Sequence, residues 1–128
     1  MTTPPKENSV LKPEETKAFQ RLEKNFTIDL LWIWVLRLLR DGPKYAYELR
    51  QEIATKFGFT PATVTNYTIL YLLEREGVVH KVEKRNSDER IDRKYYAITE
   101  LGEDVMDKAE NYLSETFSKL FPKSKIVS

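Results

Sequence analysis

The feature that most constrains the fold is an ordered series of helix and turn signals near the middle of the chain. Gly42-Pro43 ends one helix, because glycine allows a left-handed exit and proline cannot continue a helix. Apolar residues at three- and four-residue steps then predict helices over about 45–57 and 61–76. Gly58 marks the turn between these helices. Two short helices joined by a tight turn are typical of a helix-turn-helix.

The residues after this pair of helices predict a β-hairpin and a final helix. Val78-Val79 begins one strand and residues 95–98 finish the next, with polar and charged residues between them. Thr99 can cap a last helix over about 100–121. We therefore predict a mainly α fold with a small β-hairpin wing, that is, a winged helix-turn-helix with N- and C-terminal dimerisation helices.

Two further helices are expected before this region. Pro13 favours the start of a short amphipathic helix near 13–25, and Thr27 can cap a helix over about 28–40. The second helix is apolar almost all round, which predicts burial on most sides. The chain is accordingly divided into an N-terminal tail and short helix (1–26), a winged helix-turn-helix domain (27–99) and a C-terminal dimerisation helix and tail (100–128).

Composition argues against catalysis and metal chemistry. The chain has no cysteine, one histidine and no glycine-rich phosphate loop. His80 has no second ligand at a metal-binding spacing, and no Ser-His-Asp arrangement or carboxylate pair stands out. We therefore expect no enzymatic activity, no cofactor and no metal. The absence of cysteine and of an N-terminal apolar segment favours a cytoplasmic protein.

The charge distribution favours nucleic acid only locally. The formal net charge is +1, which is low for a DNA-binding domain. Residues 81–94, however, contain six lysines and arginines against four acids, whereas acids gather at Glu14-Glu15 and along 100–115. A charged hairpin is ordinarily only a solvated face, but beside a helix sized for the major groove it favours contact with DNA phosphates.

The helix over 61–76 is the expected reader of DNA. Thr60-Pro61 supplies its cap and first position, and the residues expected to face the core are Val64, Tyr67, Leu70 and Leu73. Its first two turns otherwise carry threonines and Asn66, which can bond adenine. The alternative is that these threonines only cap the helix. The Tyr67 ring can pack inward while its hydroxyl reaches a phosphate. The predicted DNA-binding residues are Lys44, Tyr45, Thr63, Thr65, Asn66, Tyr67, Thr68, Lys81, Lys84, Arg85, Asn86, Arg90, Arg93 and Lys94.

Apolar stripes near both ends exceed what one small domain needs for its own core, which predicts a homodimer. The expected interface residues are Phe19, Leu22, Phe26, Trp32, Met106, Ala109, Leu113, Phe117 and Leu120. Trp32 and Trp34 project about 200° apart on a helix and so cannot form one flat box. Core packing plus a dimer contact is the favoured interpretation for them, and a pocket for an aromatic effector is the alternative.

Three stretches resemble the PadR family of transcriptional regulators. Residues 39–49 resemble its L-x-x-G-P-x-x-G-Y-E-L motif, residues 65–70 its T-x-Y-x-x-L motif, and residues 93–102 its R-[RK]-Y-Y-x-[LI]-T-x-x-G motif. Ala46 stands where the family usually has glycine. The resemblance implies the winged-helix fold, a homodimer formed through the final helix and, in some members, small aromatic or phenolic effectors.

Two function classes follow from these observations. The first is a homodimeric, sequence-specific regulator of transcription, expected to be a repressor, that binds double-stranded DNA at an inverted repeat. Its helix over 61–76 would enter the major groove and its wing over 81–94 would hold flanking phosphates. The alternative is a winged-helix protein-interaction module in a larger assembly, favoured by the low net charge and by the exposure expected for Tyr71 and Leu72.

Overall fold

The computed structural model describes residues 10–85 and 92–126, which form a helical body with a small antiparallel sheet. The elements in chain order are α1 (Lys17–Phe26), α2 (Leu31–Leu39), β1 (Lys44–Tyr45), α3 (Ala46–Glu52), α4 (Thr63–Arg75), β2 (Val79–Arg85), β3 (Asp92–Ile98) and α5 (Glu100–Leu120). A 3₁₀ turn precedes α1 at Pro13–Glu15, and a π-helical turn extends α3 at Ile53–Phe57. The predicted mainly helical fold with a small β wing is confirmed.

The two N-terminal helices have different boundaries from those predicted. Pro13 opens only the 3₁₀ turn, and α1 begins after Thr16, whose hydroxyl accepts a hydrogen bond from the first turn of the helix at 3.1 Å. Thr27 does not cap α2. It ends α1, where its hydroxyl donates to the Glu23 carbonyl at 2.7 Å, and α2 begins only at Leu31. Threonine can bond backbone groups on either side, so its position alone does not decide between the two helices.

Helix α2 forms the centre of the core. Its predicted burial is confirmed, and its buried residues are Leu31, Val35, Leu36, Leu38 and Leu39. Leu49 of α3, Ile53 of the π-helical turn, Leu70 of α4 and Val79 of β2 join the same cluster. Because full burial of one such side chain contributes about 1.5–3 kcal/mol, this cluster fixes how the other elements pack around α2.

Helices α3 and α4 form the predicted helix-turn-helix. Gly58 has φ of 84°, a left-handed conformation that glycine adopts without strain, and it ends the π-helical turn. The cap predicted at Thr60-Pro61 is wrong, since α4 begins at Thr63. Pro61 is buried, and its carbonyl accepts a hydrogen bond from Arg50 Nε at 2.7 Å. That bond holds the segment against α3 instead of letting it start the helix.

The sheet contains one strand more than the predicted hairpin. Strand β1 pairs with β3, which pairs with β2, and both pairings are antiparallel. Lys44 lies opposite Tyr96, and Tyr45 lies opposite Tyr95. Two residues carry too little alternation to be recognised as a strand in a sequence. The extra strand places the start of α3 directly beside the wing.

The start of α5 is fixed by a cap and a close backbone approach. The predicted cap is confirmed, because Thr99 Oγ1 accepts a hydrogen bond from the Gly102 N–H at 3.0 Å and donates to the Gly77 carbonyl at 2.7 Å. Gly102 itself lies against the segment that joins α4 to β2. A Cβ atom added there would overlap the Val78 carbonyl oxygen and stand 2.7 Å from Ile98 Cγ1.

Ion pairs then tie the next turns of α5 to the end of α2. Arg40 Nε lies 2.7 Å from a Glu103 carboxylate oxygen, and Arg40 Nη2 lies 3.0 Å from Asp107 Oδ1. A guanidinium held by two carboxylates resists displacement better than a single exposed pair. The predicted division of the chain at 26/27 and 99/100 stays a prediction.

Gly102→Ala is expected to lower the free energy of unfolding by about 1–3 kcal/mol, because the new methyl group overlaps the Val78 carbonyl and must push α5 away. Urea unfolding followed by circular dichroism measures this change. Lys108→Ala, at an exposed position further along α5, is the matched control and should leave the midpoint almost unchanged. Equal midpoints for the two variants would contradict the close approach.

Candidate nucleic-acid interface

The residues that α4 gives to the core determine which of its residues face outward. Asn66, Leu70 and Leu73 are buried, and their spacing of four and three places them on one face. The opposite face consists of the exposed residues Val64, Thr68, Tyr71 and Arg75. This outward row contains no acid, so it presents no repulsion to a polyanion.

Of the four residues of α4 that were predicted to face the core, two do so. Leu70 and Leu73 are buried as expected. Val64 and Tyr67 are not, since they are 76% and 53% exposed. The four positions are each three residues apart, so each step turns 60° around the helix, and Val64 comes to lie on the face opposite Leu73.

The prediction that Asn66 lies on the exposed face is wrong. Asn66 is 1% exposed, and its Nδ2 donates to the Ala46 carbonyl at 3.0 Å. Its side chain therefore joins α4 to the first residue of α3 and cannot reach a base edge. The sequence contains the signal for this, because Asn66 precedes Leu70 by four residues and Leu73 by seven. Its position on the helix thus indicated burial, although its polarity favoured the surface.

The remaining polar residues of the first two turns of α4 do reach the surface. Thr63 and Thr68 are exposed and Thr65 is half-buried. Short hydroxyl side chains at such positions can bond phosphates or base edges. Their contacts with DNA stay a prediction.

A cleft of about 370 Å³ opens beside them, between α4, the start of α3 and β3. The lining residues are Tyr45, Ala46, Tyr47, Tyr67, Lys94 and Tyr96. Lys94 is exposed and brings a positive charge to the rim, while the Tyr47 hydroxyl accepts a hydrogen bond from the Gln51 side chain. The cleft thus combines aromatic walls, hydroxyl groups and one ammonium. Separate elements supply these groups, so sequence patterns did not indicate that Tyr47 and Tyr96 belong to it.

The two adjacent tyrosines of β3 have different surroundings. Tyr96 belongs to the core cluster, whereas the Tyr95 ring meets the Tyr45 ring edge-on at a centroid distance of 5.4 Å. Burial raises the pKa of the Tyr96 phenol above its ordinary value of 10, and the negative charge of Glu74 and the nearby Tyr67 phenol raise it further. The Tyr96 hydroxyl is therefore neutral at physiological pH.

Lys44 is not placed for the DNA contact that was predicted for it. Its side chain is only 13% exposed, and Nζ lies 3.0 Å from Glu52 Oε2. Glu52 also pairs with Lys56 at 3.2 Å. Burial opposes ionisation of the Glu52 carboxyl, but the ion pairs with Lys44 and Lys56 outweigh it, so the net pKa is lowered from its ordinary value of 4.5. Lys44 thus neutralises an acid beside the helix-turn-helix instead of facing DNA.

Both strands of the wing carry a lysine whose side chain the structure describes. Lys81 Nζ lies 3.7 Å from Glu74 of α4, and Lys94 stands opposite Glu83 in the sheet register. Asn86 and Arg90 lie outside the described residues, as do the side chains of Lys84, Arg85 and Arg93. Contact between the wing and DNA stays a prediction.

The surfaces expected to form a dimer are largely open. Phe19, Leu22 and Phe26 of α1 are 39–48% exposed, and α1 buries no side chain. A groove of about 470 Å³ runs between α2 and α5, and its apolar lining includes Ile33, Met106, Ala109, Leu113, Phe117 and Ile126. Leu120 at the end of α5 is also exposed. The apolar stripe of α5 is thus only partly covered within one chain.

The two tryptophans occupy separate places, as their spacing predicted. Trp34 packs on Phe57 and Phe59 at ring-centroid distances of 4.7 and 5.7 Å, and its Nε1 donates to the Phe26 carbonyl at 2.6 Å. Trp32 instead lines a cleft of about 370 Å³ between α2, α4 and α5. Neither contributes to the tyrosine-lined cleft of the wing.

Metal-binding clusters and membrane-spanning helices are absent from residues 10–85 and 92–126. Within these ranges, no three histidine, cysteine or acidic side chains gather in a way that could hold a metal ion. None of the helices there has the length and apolar character that crossing a membrane requires.

Residues 35–108 match the Transcriptional regulator PadR-like family. The chain belongs to the PadR family. An uncharacterized protein from Lysinibacillus sphaericus is 37% identical to it over 83 residues, which cover 63% of this chain and 69% of that protein.

Solved structures of PadR regulators have the same fold. A PadR family transcription regulator from Clostridium difficile R20291 matches with a TM-score of 0.61 at 19% identity, covering 73% of this chain and 95% of that one. A PadR family regulator from Eggerthella lenta matches with a TM-score of 0.61 at 25% identity, covering 85% and 100%. A PadR-like transcription factor from Bacteroides fragilis matches with a TM-score of 0.66 at 20% identity, covering 81% and 99%. This PadR chain thus has the fold of a DNA-binding transcription regulator, as predicted.

Asn66→Ala is expected to destabilise this PadR-family protein by about 1–3 kcal/mol, because it removes a buried hydrogen bond between α4 and α3. The change in unfolding free energy is measured by urea titration. Thr68→Ala, on the outward row of the same helix, is the control and should change stability by less than about 0.5 kcal/mol. An Asn66→Ala protein as stable as the control would show that the amide is not a structural tie.

Proposed function

We propose that the protein is a homodimeric, sequence-specific regulator that binds double-stranded DNA at an inverted repeat and represses transcription. Helix α4 would lie in the major groove, with the tyrosine-lined cleft and the wing on the flanking backbone. The observation that carries this proposal is the acid-free outward row of α4 beside a cleft that combines hydroxyls with the Lys94 ammonium. Exclusion of other proteins from the DNA that the dimer occupies is the physical basis of the proposed repression.

The shape of α4 supports its place in the groove. It has 13 residues, and its first turn carries no acid. The N–H groups and positive dipole end at the start of a helix favour approach to phosphates. The B-DNA major groove admits one α-helix, and N-terminal residues of such a helix meet the base edges. Thr63 and Val64 occupy that part of α4.

The cleft supports the proposal that a DNA backbone phosphate binds beside the major groove. A backbone phosphate between α4 and β3 would meet the exposed Lys94 ammonium and the hydroxyls of Tyr47 and Tyr67. A charged donor and neutral hydroxyls are the groups that usually position DNA backbone. The cleft draws on α3, α4 and β3 together, so one phosphate there would fix the orientation of the whole motif on the duplex.

The open apolar surface supports a dimer. The groove along α5 and the exposed aromatic face of α1 are both apolar, and each is incompletely covered within one chain. Packing the α5 stripe of one protomer on the N-terminal region of its partner would bury both surfaces. Two-fold symmetry then presents two α4 helices to one side of DNA, about one helical turn or ~34 Å apart, which matches an inverted repeat.

The alternative is a protein-interaction module, and one observation favours it. Tyr71 and Leu72 are 58% and 44% exposed on α4. A protein partner on this surface would be held by apolar contact, whose strength changes little with salt. DNA held through phosphates weakens steeply as salt rises.

A small aromatic effector stays an implication of the family resemblance. The cleft beside Trp32 is where we would place one, since its walls are apolar and it touches α4 through Ile69, Leu72 and Leu73.

Lys94→Ala and Tyr67→Phe are expected to weaken DNA binding in different ways. Removing the ammonium should flatten the dependence of log affinity on log salt by about 0.9 for each phosphate that is no longer neutralised, or about twice that for a dimer. Removing the Tyr67 hydroxyl should lower affinity without changing the slope, because the charge of the protein stays the same. Fluorescence anisotropy of a labelled duplex at several salt concentrations measures both quantities.

Lys108→Ala removes an exposed lysine of α5 that lies outside the cleft, and it is the charge-matched control for Lys94→Ala. The control should keep the slope of the unchanged protein. Equal slopes for the unchanged protein, Lys94→Ala and Lys108→Ala would remove the cleft from the interface. Salt-independent affinity of the unchanged protein would favour the interaction-module alternative instead.

Leu113→Asp with Phe117→Asp is expected to convert the dimer to monomers, because two unpaired charges would be buried at a cost of several kcal/mol. Light scattering at micromolar concentration measures the mass. Asn111→Asp with Ser118→Asp adds the same two charges at exposed positions of α5 and should leave the dimer intact. A Leu113/Phe117 variant that stays dimeric would contradict the proposed interface.

A further inference from the structure

Val64 is the most outward apolar side chain on α4. It is 76% exposed, and it occupies the second residue of the helix, where the predicted reader of DNA would first meet the bases. Valine has a lower helix propensity than alanine or leucine, and exposing its methyl groups to water is unfavourable. Val64 also lies on the face opposite the core residues Leu70 and Leu73. The fold therefore gives no packing reason for an apolar residue here.

The surroundings of Val64 are short and uncharged. Thr63 precedes it, and Thr68, a short side chain that also carries a methyl group, lies one turn further along the same row. Lys or Arg first appears on this row at Arg75, three turns away, where its guanidinium stands 5.8 Å from the Tyr71 ring centroid. The N-terminal end of this row on α4 thus presents methyl and hydroxyl groups and no lysine or arginine side chain.

The chemistry of the groove limits what such a surface can recognise. In the major groove, the thymine C5-methyl is the apolar group among the base edges, while the others are hydrogen-bond donors and acceptors. Valine offers no hydrogen bond, so placing it against guanine, cytosine or adenine edges would desolvate polar atoms without compensation. Against thymine it buries one apolar surface on another.

We propose that Val64 determines specificity by contacting the C5-methyl group of a thymine in each half-site. This inference rests on the proposed function, because it requires α4 to lie in the major groove. Thr68 extends the apolar surface along the row. The half-site therefore contains at least one thymine that is recognised through its methyl group and not through its O4 acceptor.

Replacing thymine by deoxyuridine tests the contact, since the two bases differ only by the C5-methyl group. Duplexes are first selected from random DNA with the full-length protein. Each thymine of one half-site is then replaced in turn by deoxyuridine, and affinity is measured for the unchanged protein, Val64→Ala and Val64→Thr. Val64 is exposed, so both variants should fold, and thermal melting checks that they do.

Replacing one particular thymine by deoxyuridine is expected to weaken binding of the unchanged protein about fourfold. This factor is the contribution of one buried methyl group to affinity. Val64→Ala should bind the thymine and deoxyuridine duplexes equally at that position. Val64→Thr keeps the shape and one methyl group and should retain part of the discrimination.

Two results overturn the inference while leaving the proposed function in place. In the first, the protein selects a sequence but no single deoxyuridine changes its affinity. In the second, Val64→Ala discriminates as strongly as the unchanged protein at the same thymine. Failure of the protein to select any sequence, with affinity insensitive to salt, overturns the proposed function itself and this inference with it.

Discussion

Burial of α2 is the constraint on which the rest of the structure depends. The helix is apolar on almost every side, so a single neighbour cannot shield it from water. Helices α3, α4 and α5 and the sheet surround it, and each contributes a face: Leu49, Leu70, Met106 and Val79 all pack into or against the same cluster. The orientation of α4 about its own axis is a consequence of this packing, because the residues that contact the core decide which residues face outward.

Two short contacts turn the surrounding elements into one unit. The Asn66 amide joins α4 to the first residue of α3 through the Ala46 carbonyl, and β1 joins that same point of the chain to β3. Helix α4, the start of α3 and the wing strand are therefore held together at one place, which is where the tyrosine-lined cleft lies. A phosphate seated there would be positioned by rigid elements, so that register on DNA is set before any base is read.

The weak overall charge of the chain is consistent with this arrangement. Several cations are already paired within the chain: Lys44 and Lys56 with Glu52, and Arg40 with Glu103 and Asp107. These ion pairs stabilise the fold, and because their charges cancel they contribute little positive electrostatic potential at a DNA-facing surface. In the proposed complex, DNA binding would depend on a few local groups such as Lys94 and on shape, and a second protomer would add to the affinity. Paired charges inside the chain are thus compatible with a DNA-binding surface whose net charge is small.

The sequence by itself determined the order of the helices, the turn at Gly58, the cap at Thr99 and the burial of α2, because these follow from periodicity and from residues with strong local preferences. The tertiary structure decided the rest. It gave the buried Asn66 amide its partner, the Ala46 carbonyl, paired Lys44 with Glu52, and added β1 to the sheet. Each depends on what lies across the packing interface: a buried amide needs the Ala46 carbonyl, and a two-residue strand needs β3 beside it. Local patterns do not contain those partners, so only the folded chain could reveal them.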